Sequence, residues 1–100
     1  MAKINSESAV KREVRKLLVN YGWFVSMPPA NGYGKAGISD FHALKNGKFL
    51  AIETKYGSNT PTVLQNKFLA DIEAAGGWVL VVNDSEHSLA RLGKFLESLR

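Results

Sequence analysis

The sequence predicts an α/β (α+β) fold of order α-β-β-β-α-β-α, a mixed four-stranded sheet flanked by helices. Three observations carry this. Apolar residues recur at helical spacing at both ends of the chain. Asn46-Gly47 sits between two strand-like stretches, "ISDFHALK" and "KFLAIETK", and is a strong two-residue hairpin signal. The last apolar run, "WVLVV", follows a helical stretch, so it is expected to lie parallel to an earlier strand.

The elements follow in order. Asn5 or Ser6 can cap a first helix whose stripe is Val10, Val14, Leu17, Leu18 and Tyr21, with Gly22 as its stop. "WFVSM" (23–27) reads as a strand and "PPANGYGKAG" (28–37) as a loop. After the hairpin, Thr60 is expected to cap a helix beginning at Pro61, with apolar face Leu64, Phe68, Ile72 and Ala75. Gly76 and Gly77 end it. "WVLVV" (78–82) is continuously apolar, as for a strand covered on both faces. Asp84 or Ser85 opens the final helix, striped by Leu89, Leu92, Phe95, Leu96 and Leu99.

One hundred residues suffice for one domain, and 45% hydrophobic residues suffice for its core. The absence of cysteine excludes disulfides and thiolate metal sites. No signal-like or membrane-spanning apolar run is present, so a soluble, cytoplasmic protein is expected, with no membrane partner. The net charge of +4 is unevenly placed. Residues 1 to 55 hold nine Lys/Arg and four Asp/Glu; residues 56 to 100 hold four and five. A basic first half suits a polyanion such as nucleic acid, or is simply a solvated helix face.

The hairpin concentrates the chemistry. A two-residue turn at Asn46-Gly47 pairs Lys45 with Lys48, and by the same register sets Asp40 opposite Glu53 and Ile38 opposite Lys55. Opposed carboxylates repel unless a cation lies between them. Oxygen donors at this spacing suit Mg²⁺, Mn²⁺ or Ca²⁺ better than zinc. The alternatives are a different register, or neutralisation by Lys55 and Lys35. Glu7 falls within the arc of the first helix's apolar stripe. Either it joins the carboxylates or it is a first-turn acid favoured by the helix dipole. Gln65 lies on the apolar face of the next helix, and bonds either backbone at the sheet end or a water or lysine beside a metal. His42 and His87 lack paired ligand spacing and are read as non-ligands.

Glu7, then Gly37-Ile38-Ser39-Asp40, then Glu53-Thr54-Lys55, then Gln65 resembles the PD-(D/E)XK nucleases, and within them most nearly the VRR-NUC (virus-type replication-repair nuclease) family. "E-x-K" alone is weak; the ordered set is specific and spans most of the chain. Ser39 departs from the proline the family often has before the aspartate. The resemblance implies a restriction-endonuclease-like core and a Mg²⁺- or Mn²⁺-dependent, structure-selective DNA endonuclease, of Holliday-junction type, in a phage or bacterial setting. It implies metal ligation by Asp40, Glu53, the Thr54 carbonyl and Glu7. Lys55 would orient or activate the water, and Gln65 would support Lys55 or that water. A homodimer is implied as well, because two symmetric cuts require two sites, with an apolar patch on the first or last helix as its contact. For DNA contacts, the loop before Asp40 offers Tyr33 and Lys35, and the first helix offers Lys11 and Arg12, continued by Arg15 and Lys16. The competing reading is a catalytically silent nucleic-acid-binding module that keeps the fold. Loss of an acid or of the lysine would mark such a module, and none is lost.

Overall fold

The computed structural model describes residues 4–29 and 37–100. Its elements are α1 (Glu7–Asn20), β1 (Phe24–Ser26), β2 (Phe41–Lys45), β3 (Lys48–Thr54), α2 (Val63–Ala74), β4 (Trp78–Val82) and α3 (Glu86–Ser98), in the expected order. The four strands lie side by side in chain order. β1, β2 and β3 are antiparallel, and β4 joins β3 in parallel after the α2 crossover.

Alternation along the strands sorts the sheet into two faces. Phe41, Ala43, Leu50, Ile52 and Val82 meet Val10, Val14 and Leu18 of α1 and Leu92 and Leu96 of α3 in one buried cluster. The opposite face carries His42, whose ring stacks on Phe68 of α2 with centroids 5.7 Å apart. Both expected helical stripes on α1 and α3 therefore point into the same core.

Helix ends follow local chemistry. Ser6, rather than Asn5, caps α1, its hydroxyl accepting from the Ala9 N–H at 3.2 Å. At the other end the Lys45 ammonium donates to the Tyr21 carbonyl, placing a cation on the negative end of the helix. Ser85 caps α3 by accepting from the Ser88 N–H.

Four expectations change. The cap of α2 is Thr62, not Thr60, and Pro61 precedes the helix. Thr62 and Gln65 stand three apart and form a reciprocal capping box, which Thr60 and Val63 could not. The apolar face of α2 is also rotated. Leu69 is its buried residue, whereas Leu64 in the first turn is 54% exposed. β4 is an edge strand, with Trp78 and Val81 exposed rather than covered on both faces. Finally, β2 starts at Phe41, so the ladder ends at Phe41↔Ile52 and Ile38 to Asp40 lie outside it. The register is the expected one, because Lys45 pairs with Lys48 across the turn, and Asn46 and Gly47 both have positive φ (50° and 77°).

Candidate active site

Glu53 is a carboxylate in the interior of a sheet. It sits at the C-terminal end of β3 with 2% exposure, between Ile52 and Thr54, which are fully buried. Its Oε2 lies 3.1 Å from the Lys55 ammonium, and its Oε1 is buried without a hydrogen-bond partner. Burial raises the Glu53 pKa above its ordinary value, and the charge of Asp40 raises it further. Attraction by Lys55 and the Asp40 main-chain amide oppose that rise without cancelling it. The anion is therefore undercompensated. An orphaned buried carboxylate oxygen is costly to keep and calls for a cationic partner.

Asp40 is the second carboxylate. The chain leaves the ladder just before β2, and the Asp40 side chain turns onto Thr54. Its Oδ2 accepts from the Thr54 amide at 2.8 Å and from the Thr54 hydroxyl at 2.6 Å. Thr54 thus contributes an N–H and a hydroxyl that sequence reasoning missed, since only its carbonyl was considered. The approach to Asp40 is shaped by Gly37 and Ser39. Gly37 has φ +83°, and a Cβ there would stand 2.5 Å from the Leu64 carbonyl oxygen of α2. Ser39 is 1% exposed and its hydroxyl donates toward the Phe41 carbonyl. The residue in the family's proline position thereby has a polar tether of its own.

Lys11 is the other addition. Its ammonium lies 3.5 Å from Asp40 Oδ1 and 3.7 Å from Glu7 Oε2. It lies within the carboxylate cluster. The available signal was its spacing, since Lys11 is four residues after Glu7 and shares that helix face. Glu7 reaches this cluster through Lys11, with its side chain 42% exposed. Among the described residues, no three His, Cys, Asp or Glu side chains converge closely enough to hold a metal ion. The donors that fit a hard divalent cation are Asp40 Oδ1 and the orphaned Glu53 Oε1, while Glu7 meets the cluster at Lys11.

The remaining expected residues divide. The Gln65 side-chain oxygen accepts from the Thr62 N–H at 2.9 Å, and the Gln65 N–H donates to the Thr62 hydroxyl. The amide oxygen serves the helix cap and is not turned to Lys55. Arg12 is exposed on α1, as are Arg15 and Lys16. Tyr33 and Lys35 lie outside the described residues. His42 is wedged between Phe49 and Phe68, and burial lowers its pKa. His87 is exposed in the first turn of α3. Where an apolar contact patch is expected on the first or last helix, a mainly apolar groove is lined by Leu17 of α1 and Leu89 and Ala90 of α3. Among the described residues, the exposed large hydrophobics include Val19 of α1 and none of α3. Phe24, Leu44 and Phe49 instead form an exposed row of paired positions across three strands. No helix among the described residues is long and apolar enough to cross a membrane.

A family model described as "Archaeal holliday junction resolvase (hjc)" matches residues 3–74. That span contains Glu7, Lys11, Asp40, Glu53, Lys55 and Gln65. The chain belongs to the archaeal Holliday junction resolvase (Hjc) family. Hjc membership agrees with the fold and places the chain among nucleases. A solved structure titled "VRR_NUC domain" superposes with TM-score 0.74 and 20% identity, covering 97% of this chain and all of that one. The Hjc of Archaeoglobus fulgidus, titled a Holliday junction resolvase from an archaeal hyperthermophile, gives TM-score 0.61 and 17% identity, covering 77% and 67%. At these identities the two structures speak for the fold, which is restriction-endonuclease-like. No curated protein matched.

Proposed function

We propose that this chain is a divalent-metal-dependent endonuclease that cuts branched DNA, four-way junctions foremost. The observation that carries the reading is the Glu53 carboxylate, buried beside Asp40, with one oxygen held by Lys55 and the other unpartnered. An unpartnered buried carboxylate oxygen costs stability, and a bound cation would offset that cost.

The residues divide the labour. Asp40 presents Oδ1 because Oδ2 is held by Thr54. Glu53 presents Oε1. The Thr54 carbonyl and Glu7 complete the proposed ligand set. A Mg²⁺ or Mn²⁺ ion there would acidify a bound water and neutralise charge on the leaving oxygen. Lys55, with its side chain 13% exposed, is placed to donate to a phosphate oxygen or orient the attacking water. Arg12, Lys35 and Tyr33 are assigned to the DNA backbone and bases, and Arg12 is exposed as that role requires. Two symmetric cuts need two such sites, so the active form is a C₂ homodimer. The Phe24–Leu44–Phe49 row is the apolar surface such a contact would use. The phage or bacterial setting and cytoplasmic location belong to the same reading.

The test uses labelled duplex, flap, single-stranded and four-way-junction DNA with Mg²⁺, Mn²⁺ or EDTA. Asp40→Asn, Glu53→Gln and Lys55→Ala run in parallel. Metal-dependent junction cutting, lost in all three variants, is expected. Cutting that persists in all three rejects the assignment, and metal-independent binding without cutting favours the silent module.

A further inference from the structure

Lys11 stands where a third carboxylate would have to come in. Its ammonium is the only group that links Glu7 to Asp40 among the described contacts, at 3.7 Å and 3.5 Å. Both distances exceed those of a charge-assisted hydrogen bond, about 2.7–2.9 Å. The contacts are loose ion pairs, and the Glu7 and Lys11 side chains are 42% and 30% exposed, so both can turn. By contrast, Lys55 holds Glu53 at 3.1 Å in buried surroundings, and Thr54 holds the other oxygen of Asp40. The one oxygen of Asp40 left for a cation is the one that Lys11 occupies.

We propose that Lys11 is a built-in competitor for the divalent cation. Its ammonium lies between Glu7 and Asp40 Oδ1, and a divalent ion binding at Asp40 would displace it and admit Glu7 as a ligand. The inference rests on the reading of Asp40 and Glu53 as metal ligands and adds a residue that sets their affinity.

The charges argue for this role. Glu7, Asp40 and Glu53 carry three negative charges against two from Lys11 and Lys55. Without Lys11 the three carboxylates would have only the Lys55 ammonium to offset them. With it retained, a divalent ion would meet a cation at close range. An ammonium on a flexible four-carbon stem resolves both conditions, because it can swing away. Lys11 is thus a positioning residue that trades metal affinity for stability of the carboxylate cluster.

The experiment compares wild type, Lys11→Met, Lys11→Gln, Asp40→Asn and Lys94→Met for Mn²⁺ binding by titration calorimetry without DNA. Thermal melts in EDTA and in Mn²⁺ accompany it. Lys94→Met removes one charge from an exposed position on α3. Lys11→Met and Lys11→Gln are expected to bind Mn²⁺ roughly three- to tenfold more tightly than wild type. They should melt lower in EDTA and gain more from Mn²⁺. Lys94→Met should match wild type throughout. Unchanged or weakened Mn²⁺ binding in both Lys11 variants, while Asp40→Asn abolishes it, overturns the competitor role and leaves the metal site standing. Failure of the wild type to bind Mn²⁺ overturns the metal reading and this inference together.

Discussion

Thr54 grips one oxygen of Asp40 twice, through its amide at 2.8 Å and its hydroxyl at 2.6 Å. The grip joins the end of β3 to a residue that the ladder itself does not hold. Thr54→Val keeps the shape and loses the hydroxyl. A hydrogen bond to a charged group contributes about 1.5–3 kcal/mol, so the variant should lose stability of that order in urea unfolding. Junction cutting should fall by at least about tenfold as Asp40 loosens, and Thr54→Ser should recover most of it. A Val variant that cuts at the wild-type rate would show that Asp40 needs no such support.

Glu53 should reveal a conflict between stability and function. Its pKa is raised, so just above its ordinary value the native state holds a proton that the unfolded chain has already released. Stability therefore falls as pH rises through that window, and the penalty persists above it. Glu53→Gln removes the penalty. In EDTA near neutral pH the variant should melt no lower than wild type, and the acid-side slope should flatten. Cutting should drop by more than about a hundredfold, since removing a ligand costs more than removing its support.

His42 titrates in the opposite sense. Burial among Phe49 and Phe68 lowers its pKa below the ordinary value of about 6.5. As pH drops past about 6.5, the unfolded chain takes up a proton that the native state refuses. Stability contributed by neutral His42 is full above that pH and is lost on acidification. His42→Phe should remove this component from unfolding free energies measured between pH 7 and 5.

Gly37 cannot accept a side chain. Its φ of +83° is disfavoured for other residues, and a Cβ would lie 2.5 Å from a backbone oxygen of α2. Gly37→Ala should cost more than about 1 kcal/mol. It should also weaken Mn²⁺ binding, because Asp40 is three residues on. A stable variant with unchanged Mn²⁺ affinity would uncouple the turn from the site.

Gln65 allows its two roles to be told apart. Gln65→Glu keeps a capping box with Thr62 while removing the amide donors. If the side chain serves only the cap, that variant should retain full cutting and stability. Thr62→Ala should then lose about 1 kcal/mol. A Gln65→Glu variant that is stable but inactive would restore the proposed role beside Lys55.

Much of the site was legible because it depends on short-range rules. Asn46-Gly47 specifies the turn, and the turn specifies the register that brings Asp40 toward Glu53. The stripes of α1 and α3 identified the core residues, since a 3.6-residue period allows one buried face. The cap at Thr62 was misplaced because Pro61 is a strong signal taken by itself, whereas the reciprocal Thr62–Gln65 pair decides between two threonines. The exposed edge of β4 was misread because an apolar run does not reveal how many neighbours its strand will have.

Spacing along one chain was enough to read the order of elements and the hairpin register. What each charged group touches came from packing in three dimensions. Asp40 lies outside the ladder and is held by Thr54, Glu53 keeps an unpartnered oxygen, and Lys11 enters the cluster from α1. Packing between distant segments has no period to read, so the partners of a buried charge emerge only when the segments meet.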